Sequence, residues 1–190
     1  TYYFSRGRRF NRKNAIEIVP QAEIHQGFYS TLFLVPKKTG DLRPVINLKP
    51  LNQYLRKQHF KMDTLTKVLN LVKPQDWALS LDLKDAYLHI PVHKTHRKFL
   101  RFCIQGKCYQ FVALCFGPSQ APRVFTKIVT VVAAHLRIQN IRLATYLDDW
   151  LLVNAQEKML ISDREKTLNL LIKLGFIVNL QKSSLIPSLT

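Results

Sequence analysis

Short apolar runs of strand length recur along the chain, separated by turn-forming residues. They span residues 31–36, 42–47, 77–83, 99–104, 108–112, 144–147, 150–153 and 176–178. The first two runs flank a basic turn at 37–41, and the fourth and fifth flank Gln105-Gly106-Lys107. Apolar runs on either side of a glycine-containing turn are typical of hairpins, so each of these pairs predicts two antiparallel strands.

Three longer segments carry apolar residues at three- and four-residue steps, which predicts helices. They span residues 62–72, 118–137 and 156–174. Asp63 or Thr64 is a suitable N-cap for the first helix, and Pro74 ends it. Pro118 stands near the start of the second helix, and Gly175 is the C′ residue of the third. Helices that alternate with paired strands predict an α+β fold with helices packed on one face of a sheet.

The composition describes a folded but strongly basic chain. Of the 190 residues, 47% are hydrophobic, which is enough for a core in one large domain, or in a domain and a fragment. The 29 Lys and Arg against 12 Asp and Glu give a net charge of +17, which indicates a nucleic-acid binder. A basic scaffold or a membrane-surface protein is the alternative. The first 20 residues are polar, basic and aperiodic, so we expect an extended arm there.

Cysteine and targeting patterns favour an intracellular protein. No apolar stretch approaches the roughly 18 residues of a membrane span, and no secretory signal opens the chain. Cys103, Cys108 and Cys115 are odd in number and lack CxxC spacing, so we expect reduced, mostly buried thiols. A Cys103–Cys108 bridge across the predicted hairpin is the alternative. We expect a location in the cytoplasm or nucleus, no secretion and no membrane partner.

Four of the 12 acidic residues fall in two short windows. Asp148 and Asp149 separate two apolar runs, and Asp82 and Asp85 follow the apolar run that begins at Trp77. Adjacent carboxylates at a hairpin tip repel each other and are costly to desolvate unless a cation lies between them. Carboxylates that converge from distant segments form a hard-oxygen site suited to Mg²⁺. In so basic a chain, a polyphosphate is the expected partner of that metal.

The motifs occur in an order that resembles a known family. LDLKDAY at 81–87 is followed by CFGPSQAP at 115–122, YLDD at 146–149, and LGF with QKS within 174–183. This ordered set resembles the fingers and palm of a reverse transcriptase over roughly residues 25–185. The sequences of these motifs are most similar to those of retrotransposon enzymes, in particular DIRS-like elements, with gypsy-type elements and retroviruses as near neighbours.

The resemblance implies a fold and a division of the chain. The fold is a reverse transcriptase palm, a ferredoxin-like antiparallel sheet with helices on one face, together with a fingers subdomain. The implied division is a basic arm at 1–24, fingers mainly at 25–76, a palm at 77–185 with 88–112 partly returning to the fingers, and the start of a primer-grip and thumb region at 186–190.

The resemblance also implies an activity, RNA-directed DNA polymerisation. Nucleotidyl transfer needs an attacking 3′-hydroxyl, a leaving pyrophosphate and two metal ions that hold both. Asp82 and Asp148 would bridge two Mg²⁺ ions, for which Mn²⁺ is a possible substitute. Asp149 would complete or support the ligand set, and the backbone carbonyl of Leu83 would add a ligand. The implied partners are an RNA or DNA template with its primer, deoxynucleoside triphosphates, and a larger polyprotein that contains RNase H and other domains.

Further residues match positions that bind the incoming nucleotide. Tyr87 would be a steric gate against ribonucleotides, with an ordinary core tyrosine as the alternative. Asp85 and Ala86 lie in the region that contacts the triphosphate, although Asp85 also suits a cap of the following turn. Phe116 and Gly117 would begin a helix whose backbone can approach the nucleotide, because Gly117 has no Cβ.

Three basic positions complete this set. Arg43 resembles the fingers arginine that packs on the incoming base and touches phosphate. Lys37 or Lys38 would bind the γ-phosphate. Lys182 resembles the family's late lysine near the pyrophosphate, a candidate general acid.

Two alternatives to an active polymerase stand beside this prediction. One is a degenerate or domesticated reverse transcriptase-like domain that binds nucleic acid without catalysis. The other is an unrelated basic scaffold whose acids are solvated turns. We also expect that the chain is a piece of a larger polyprotein and is inactive in isolation.

Overall fold

The structure is a computed structural model that describes residues 15–36, 42–56 and 58–189. It divides into two compact units. The first contains residues 1–58 and 87–121, and the second contains 59–86 and 122–190.

Most elements lie where the apolar pattern predicts them. The described strands are β1 Ile16–Ile18, β2 Leu32–Pro36, β3 Leu42–Ile46, β4 Trp77–Asp82, β5 Arg101–Ile104, β6 Lys107–Phe111, β7 Arg142–Tyr146, β8 Asp149–Asn154 and β9 Ser184–Leu189. The described α-helices are α1 Lys49–Asn52, α2 Leu65–Leu71, α3 Lys94–Arg97, α4 Ala121–Ile138 and α5 Glu157–Lys173. Short 3₁₀-helices span Gln21–Glu23 and Ala86–His89. Within the described residues, no helix is both long and apolar enough to cross a membrane.

The first unit is built from a three-stranded antiparallel sheet in the order β1-β6-β5 and a β2–β3 hairpin. Its core contains Ile16, Ile46, Leu48, Leu51, Leu100, Phe102, Phe111 and Cys115. Strand β1 lies in the segment predicted to be an extended arm. Three residues are too few for an alternating pattern to be recognised, and the partner of β1 is a strand far along the chain.

A buried arginine ties the N-terminal segment to this sheet. Arg101 is 1% exposed, and its guanidinium donates to Gln110, to the carboxylate of Glu23 at 2.6 Å, and to the backbone carbonyls of Glu23 and Gln26. A buried cation is tolerated only when its donors are satisfied in this way.

The cysteine prediction was wrong for two of the three residues. Cys103 and Cys108 are directly opposite in the β5–β6 hairpin and form a disulfide across it, which was the alternative that the sequence left open. The register brings their Cα atoms to 4.1 Å, and spacing rules for metal or redox motifs do not detect a cross-strand pair. Cys115 is free and buried, and burial raises the pKa of its thiol to about 12.

The second unit contains an antiparallel sheet in the order β7-β8-β4-β9. Helix α5 packs against β8, β9 and β4, and α2 packs against β7. Thr64 is the N-cap of α2 and accepts a hydrogen bond from the Lys67 backbone. Helices and antiparallel sheets thus confirm the predicted α+β class.

The end of the chain differs from the prediction. The predicted strand at 176–178 is reduced to a single bridge between Val178 and Leu83, whereas β9 forms an edge strand that was not predicted. Pro187 obscured β9, because proline within an apolar run argues against a strand except at a sheet edge.

Two acids fasten β7 to the segment around α2. Asp76, buried, accepts a bidentate pair of hydrogen bonds from Arg142 and a third from the Lys73 backbone. These bonds, led by the one from Arg142, outweigh burial and lower the pKa of Asp76. Burial alone would raise the pKa of Asp63, but Lys67, the Thr145 backbone and Arg137 lower it.

We predict that Asp76→Asn destabilises the second unit by about 2–3 kcal/mol at pH 7, since it weakens a charge-assisted bidentate pair. A lowered folded-state pKa contributes stability above the unfolded value of about 3.9, and this is lost as pH falls through the folded pKa. Urea unfolding should therefore show a difference from wild type that shrinks at pH 3. Glu165→Gln, at a surface pair with Arg164, is the control and should change little. An equal difference at both pH values would contradict the ion-pair account.

Candidate active site

Strand pairing in the second unit brings the two acidic windows together. Strands β4 and β8 are antiparallel, and Asp82 lies directly opposite Asp149. The backbone N–H of Leu83 donates to the carbonyl of Asp148 at 2.9 Å. The backbone N–H and carbonyl of Asp82 instead bond to the 179–183 segment, so Asp82 and Asp149 form a non-hydrogen-bonded pair, whose side chains lie closest in an antiparallel sheet.

A two-residue turn exposes the adjacent acids. Tyr146 pairs with Asp149, so Leu147 and Asp148 alone connect β7 to β8. Leu147 has a φ of +52°, a left-handed conformation that is uncommon for a residue other than glycine, asparagine or aspartate. Such conformations persist where the surrounding structure enforces them, often at functional sites.

The apolar residues of the two strands set the face on which the acids lie. Leu81 of β4 and Trp150 and Leu152 of β8 are buried. Side chains alternate between the two faces of a strand, so Asp82 and Asp149 project from the face opposite Trp150. Asp82 is 8% exposed, while Asp149 is exposed to solvent.

The charge of Asp149 is disfavoured in this position. Partial desolvation, then the charge of Asp148 and then that of Asp82 raise its pKa, and Lys182 offsets part of the rise. A cation bound among these carboxylates would relieve the repulsion, so metal binding should lower the pKa of Asp149.

A turn formed by residues 179–183 closes over the end of β4. The Asp82 carbonyl accepts from the Asn179 backbone at 2.7 Å, and the Asp82 N–H donates to the Ser183 hydroxyl oxygen at 2.9 Å. The same turn places Lys182 Nζ 3.8 Å from Asp82 Oδ2. Lys182 thus lies beside Asp82, and its position near the pyrophosphate and its role as a general acid remain predictions.

The donor set fits a hard divalent cation in its chemistry. Asp82, Asp148 and Asp149 provide carboxylate oxygens, the ligands that Mg²⁺ and Mn²⁺ prefer. Within the described residues, no group of three His, Cys, Asp or Glu side chains is arranged to hold a metal ion. The metal-binding roles of these acids and of the Leu83 carbonyl stay predictions.

Other predicted nucleotide-binding residues fall in the first unit. The rings of Tyr87 and Phe116 are in contact, with centroids 4.8 Å apart. Tyr87 is 8% exposed and Phe116 is 44% exposed. An almost buried tyrosine beside an exposed phenylalanine is compatible with both interpretations of Tyr87, the steric gate and the core residue.

Gly117 does not begin a helix, because α4 starts at Ala121. Its φ of +126° is a conformation that favours glycine, and a Cβ there would lie 3.1 Å from the Ile46 carbonyl oxygen. The Gly117 carbonyl also accepts from Asn52 at 2.9 Å. Close packing within the first unit therefore requires this glycine, whatever its proximity to a nucleotide.

The remaining predicted positions are only partly described. Asp85 has a φ of +52°, and Ala86 is buried at the start of a 3₁₀-helix. Arg43 is a residue of β3 with Val35 as its register partner. Lys37 and Lys38 lie outside the described residues.

Sequence reasoning assigned no role to Ser183 or Asn179. Ser183 belongs to the QKS motif, but its hydrogen bond to Asp82 joins residues 101 positions apart. No local pattern marks a side chain that bonds to so distant a backbone.

Three acids at the strand ends of an antiparallel sheet are the kind of site used for metal-assisted phosphoryl transfer. The family described as "Reverse transcriptase (RNA-dependent DNA polymerase)" matches residues 35–189, so the chain belongs to the reverse transcriptase family. The transposon Tf2-3 and Tf2-7 polyproteins of Schizosaccharomyces pombe are each 26% identical to it over 151 residues. That match covers 80% of this chain but only 11% of each polyprotein.

Solved structures share the fold. The native prototype foamy virus protease-reverse transcriptase superimposes with a TM-score of 0.77 and 21% identity, covering 92% of this chain and 22% of the viral one. The foamy viral enzyme in complex with dsDNA gives a TM-score of 0.80 at 20% identity, covering 93% and 35%. The predicted reverse transcriptase fold is therefore confirmed, whereas the DIRS-like subtype is not.

We predict that Asp149→Asn stabilises the metal-free chain. Asn has a similar shape but no charge, so it removes the repulsion that raises the pKa of Asp149. An acid whose pKa is raised in the folded state destabilises that state once pH exceeds its unfolded value of about 3.9. Urea unfolding in EDTA at pH 7 should show a gain of about 0.2–1 kcal/mol, the range of exposed charge pairs, and no gain at pH 3.

Asp63→Asn is the matched control, because Asp63 is paired with Lys67 and Arg137 and should lose stability at pH 7. A loss of stability in Asp149→Asn as well would mean that Asp149 is held by favourable contacts and not by repulsion.

Proposed function

We propose that this chain is the fingers and palm portion of a retroelement reverse transcriptase and carries the RNA-directed DNA polymerase site. The observation that carries the proposal is the antiparallel pairing of Asp82 with Asp149, next to Asp148, in a chain of this family. The second unit is the palm and the first unit contains most of the fingers.

The acids of the second unit bind the metal ions in this proposal. Asp82 and Asp148 would hold them, with the Leu83 carbonyl as a further ligand and Asp149 completing or supporting the set. Two bound Mg²⁺ ions, or Mn²⁺ in their place, would activate the primer 3′-hydroxyl and neutralise charge on the leaving pyrophosphate. Lys182 donates a proton from Nζ to the pyrophosphate as it leaves, a role supported by its position beside Asp82.

Residues of the nucleotide site follow the resemblance. Tyr87 excludes a 2′-hydroxyl, and the Phe116 ring supports it, as their contact suggests. The backbone at Asp85, Ala86 and Gly117 approaches the nucleotide. The basic side chains Arg43, Lys37 and Lys38 bind its base and phosphates.

The substrate and setting are part of the same proposal. The net charge of +17 suits a template–primer duplex of RNA or DNA, held mainly through its phosphates. The chain spans about a tenth of the length of the polyproteins it matches, so we place it within a larger polyprotein that includes RNase H. The element is DIRS-like in its motifs, and the protein acts in the cytoplasm or nucleus. The second candidate function is nucleic-acid binding without catalysis, which the net charge of +17 suits equally well.

We predict that Asp82→Asn and Asp148→Asn each abolish polymerisation, by about 10³-fold or more, as expected for an essential catalytic group. Each variant removes a metal ligand but relieves repulsion, so the fold and template–primer binding should persist. The measurement is primer extension on poly(A)–oligo(dT) with Mg²⁺, for this chain and for a version extended into the rest of the polyprotein. Binding of the labelled duplex is measured in parallel.

Near-wild-type extension by either variant would show that the metal assignment is wrong. If the wild-type protein, in the longer version, binds the duplex but does not elongate the primer, the non-catalytic alternative holds.

We predict that Tyr87→Val raises UTP incorporation relative to dTTP. A ring beneath C2′ leaves no volume for a hydroxyl, and truncation opens that volume, so the difference between two transition-state energies shrinks. The ratio of kcat/KM for dTTP and UTP should fall by about tenfold or more, the value of a modest change in pocket volume. Tyr87→Phe keeps the ring and should keep the ratio. An unchanged ratio in Tyr87→Val would make Tyr87 a core residue.

A further inference from the structure

The backbone N–H of Asp82, the last residue of β4, bonds to a side chain instead of to the backbone of a neighbouring strand. The Asp82 N–H donates to the hydroxyl oxygen of Ser183 at 2.9 Å. That hydroxyl in turn donates to the Asn179 carbonyl at 2.8 Å. The Ser183 hydroxyl thus joins the strand that carries Asp82 to the turn that follows α5.

Strand β9 leaves β4 before reaching the acid. Its register pairs Ala78 with Ser188, shifts to pair Ser80 with Ser184, and the pairing of the two strands ends there. Continued at that register, Lys182 would face Asp82 across a regular ladder. The chain instead turns at 179–183, and the Ser183 oxygen occupies the acceptor position that a strand carbonyl would take.

One backbone carbonyl, that of Asn179, accepts the hydrogen bonds that form this turn. The Asn179 oxygen accepts from the backbones of Lys182 and Ser183 at 3.1 and 3.0 Å, in addition to the Ser183 hydroxyl. The Asn179 backbone donates to the Asp82 carbonyl at 2.7 Å. Both backbone groups of Asp82 are therefore bonded to the turn that carries Lys182.

We propose that Ser183 is a positioning residue of the acid site. Its hydroxyl fixes the backbone of Asp82 and the turn of Lys182 in one arrangement, in which Lys182 Nζ lies 3.8 Å from Asp82 Oδ2. This inference rests on the proposed function, because it gives Ser183 its purpose through Asp82. Ser183 touches neither substrate nor metal in this account.

Loss of the hydroxyl should change the site more than the fold. Asp82 is nearly buried, so removal of its acceptor leaves a backbone N–H poorly paired at the residue that must present a ligand. Groups that orient metal ligands typically change metal affinity 10- to 100-fold when removed. A purely structural role would lower the melting temperature and leave the affinity of the folded chain unchanged.

The test is Mn²⁺ binding to the chain without nucleotide, followed by the EPR signal of free Mn²⁺. Ser183→Ala and Ser183→Val should weaken binding by about tenfold or more, and Ser183→Thr, which keeps the hydroxyl, should remain within about twofold of wild type. Thr and Val have the same shape, so their comparison decides the matter even if Ser183→Ala lowers the melting temperature. Ser184→Ala, at the exposed neighbour, should bind as wild type does.

A second readout is the dependence of primer extension on dTTP concentration. Ser183→Val should lower kcat, while KM for dTTP changes less, because the residues that contact the base and sugar are not altered. Equal Mn²⁺ affinity in Ser183→Val and Ser183→Thr would overturn the proposal for Ser183.

Mn²⁺ binding to Asp82→Asn distinguishes an error about Ser183 from an error in the proposed function. If Asp82→Asn weakens Mn²⁺ binding and Ser183→Val does not, only the role of Ser183 is wrong. If neither variant weakens it, the metal assignment on which both proposals rest is wrong.

Discussion

The register of β4 against β8 determines where the acids of this chain lie. In that register Leu81 faces Trp150 and Asp82 faces Asp149. A shift of one residue would move the buried side chains to the solvent face and the acids into the core. Burial of Trp150 and Leu152 therefore stabilises the one pairing in which two carboxylates meet on the opposite face. Packing of the apolar face fixes the register, and the carboxylates of the other face stay close together despite their repulsion.

Several acids elsewhere in the described chain pair with basic side chains. Glu17 pairs with Arg97, Glu23 with Arg101, and Asp76 with Arg142. At the acid site Lys182 makes only a longer contact, 3.8 Å, with Asp82 among the described residues, and the pKa of Asp149 remains raised. Although the chain has 29 basic residues, these carboxylates lack close basic partners in the part that the structure describes, and a bound cation would remove the repulsion between them.

Local patterns predicted the elements that carry the site but not the contacts that hold them. Alternation and turn residues were sufficient for the β2–β3, β5–β6 and β7–β8 hairpins, and the helical steps for α4 and α5. The meeting of Asp82 with Asp148 and Asp149 followed from their strand positions and the resemblance. Strand β1, the cross-strand disulfide and the Ser183 bond depend on partners remote in sequence or on register, which periodicity does not encode. Gly117 was recognised as special, but its φ and the nearby Ile46 carbonyl, both within the first unit, explain it.

The central claim is that Asp82 and Asp148 jointly bind the divalent ions of a polymerase site. Anomalous diffraction from crystals of the chain with Mn²⁺, a template–primer and a non-hydrolysable deoxynucleotide tests it most directly. We expect two anomalous peaks within coordination distance of both carboxylates, with the triphosphate oxygens completing the ligand sets. Peaks that lie elsewhere, or a bound duplex and nucleotide with no peak between Asp82 and Asp148, would contradict the account.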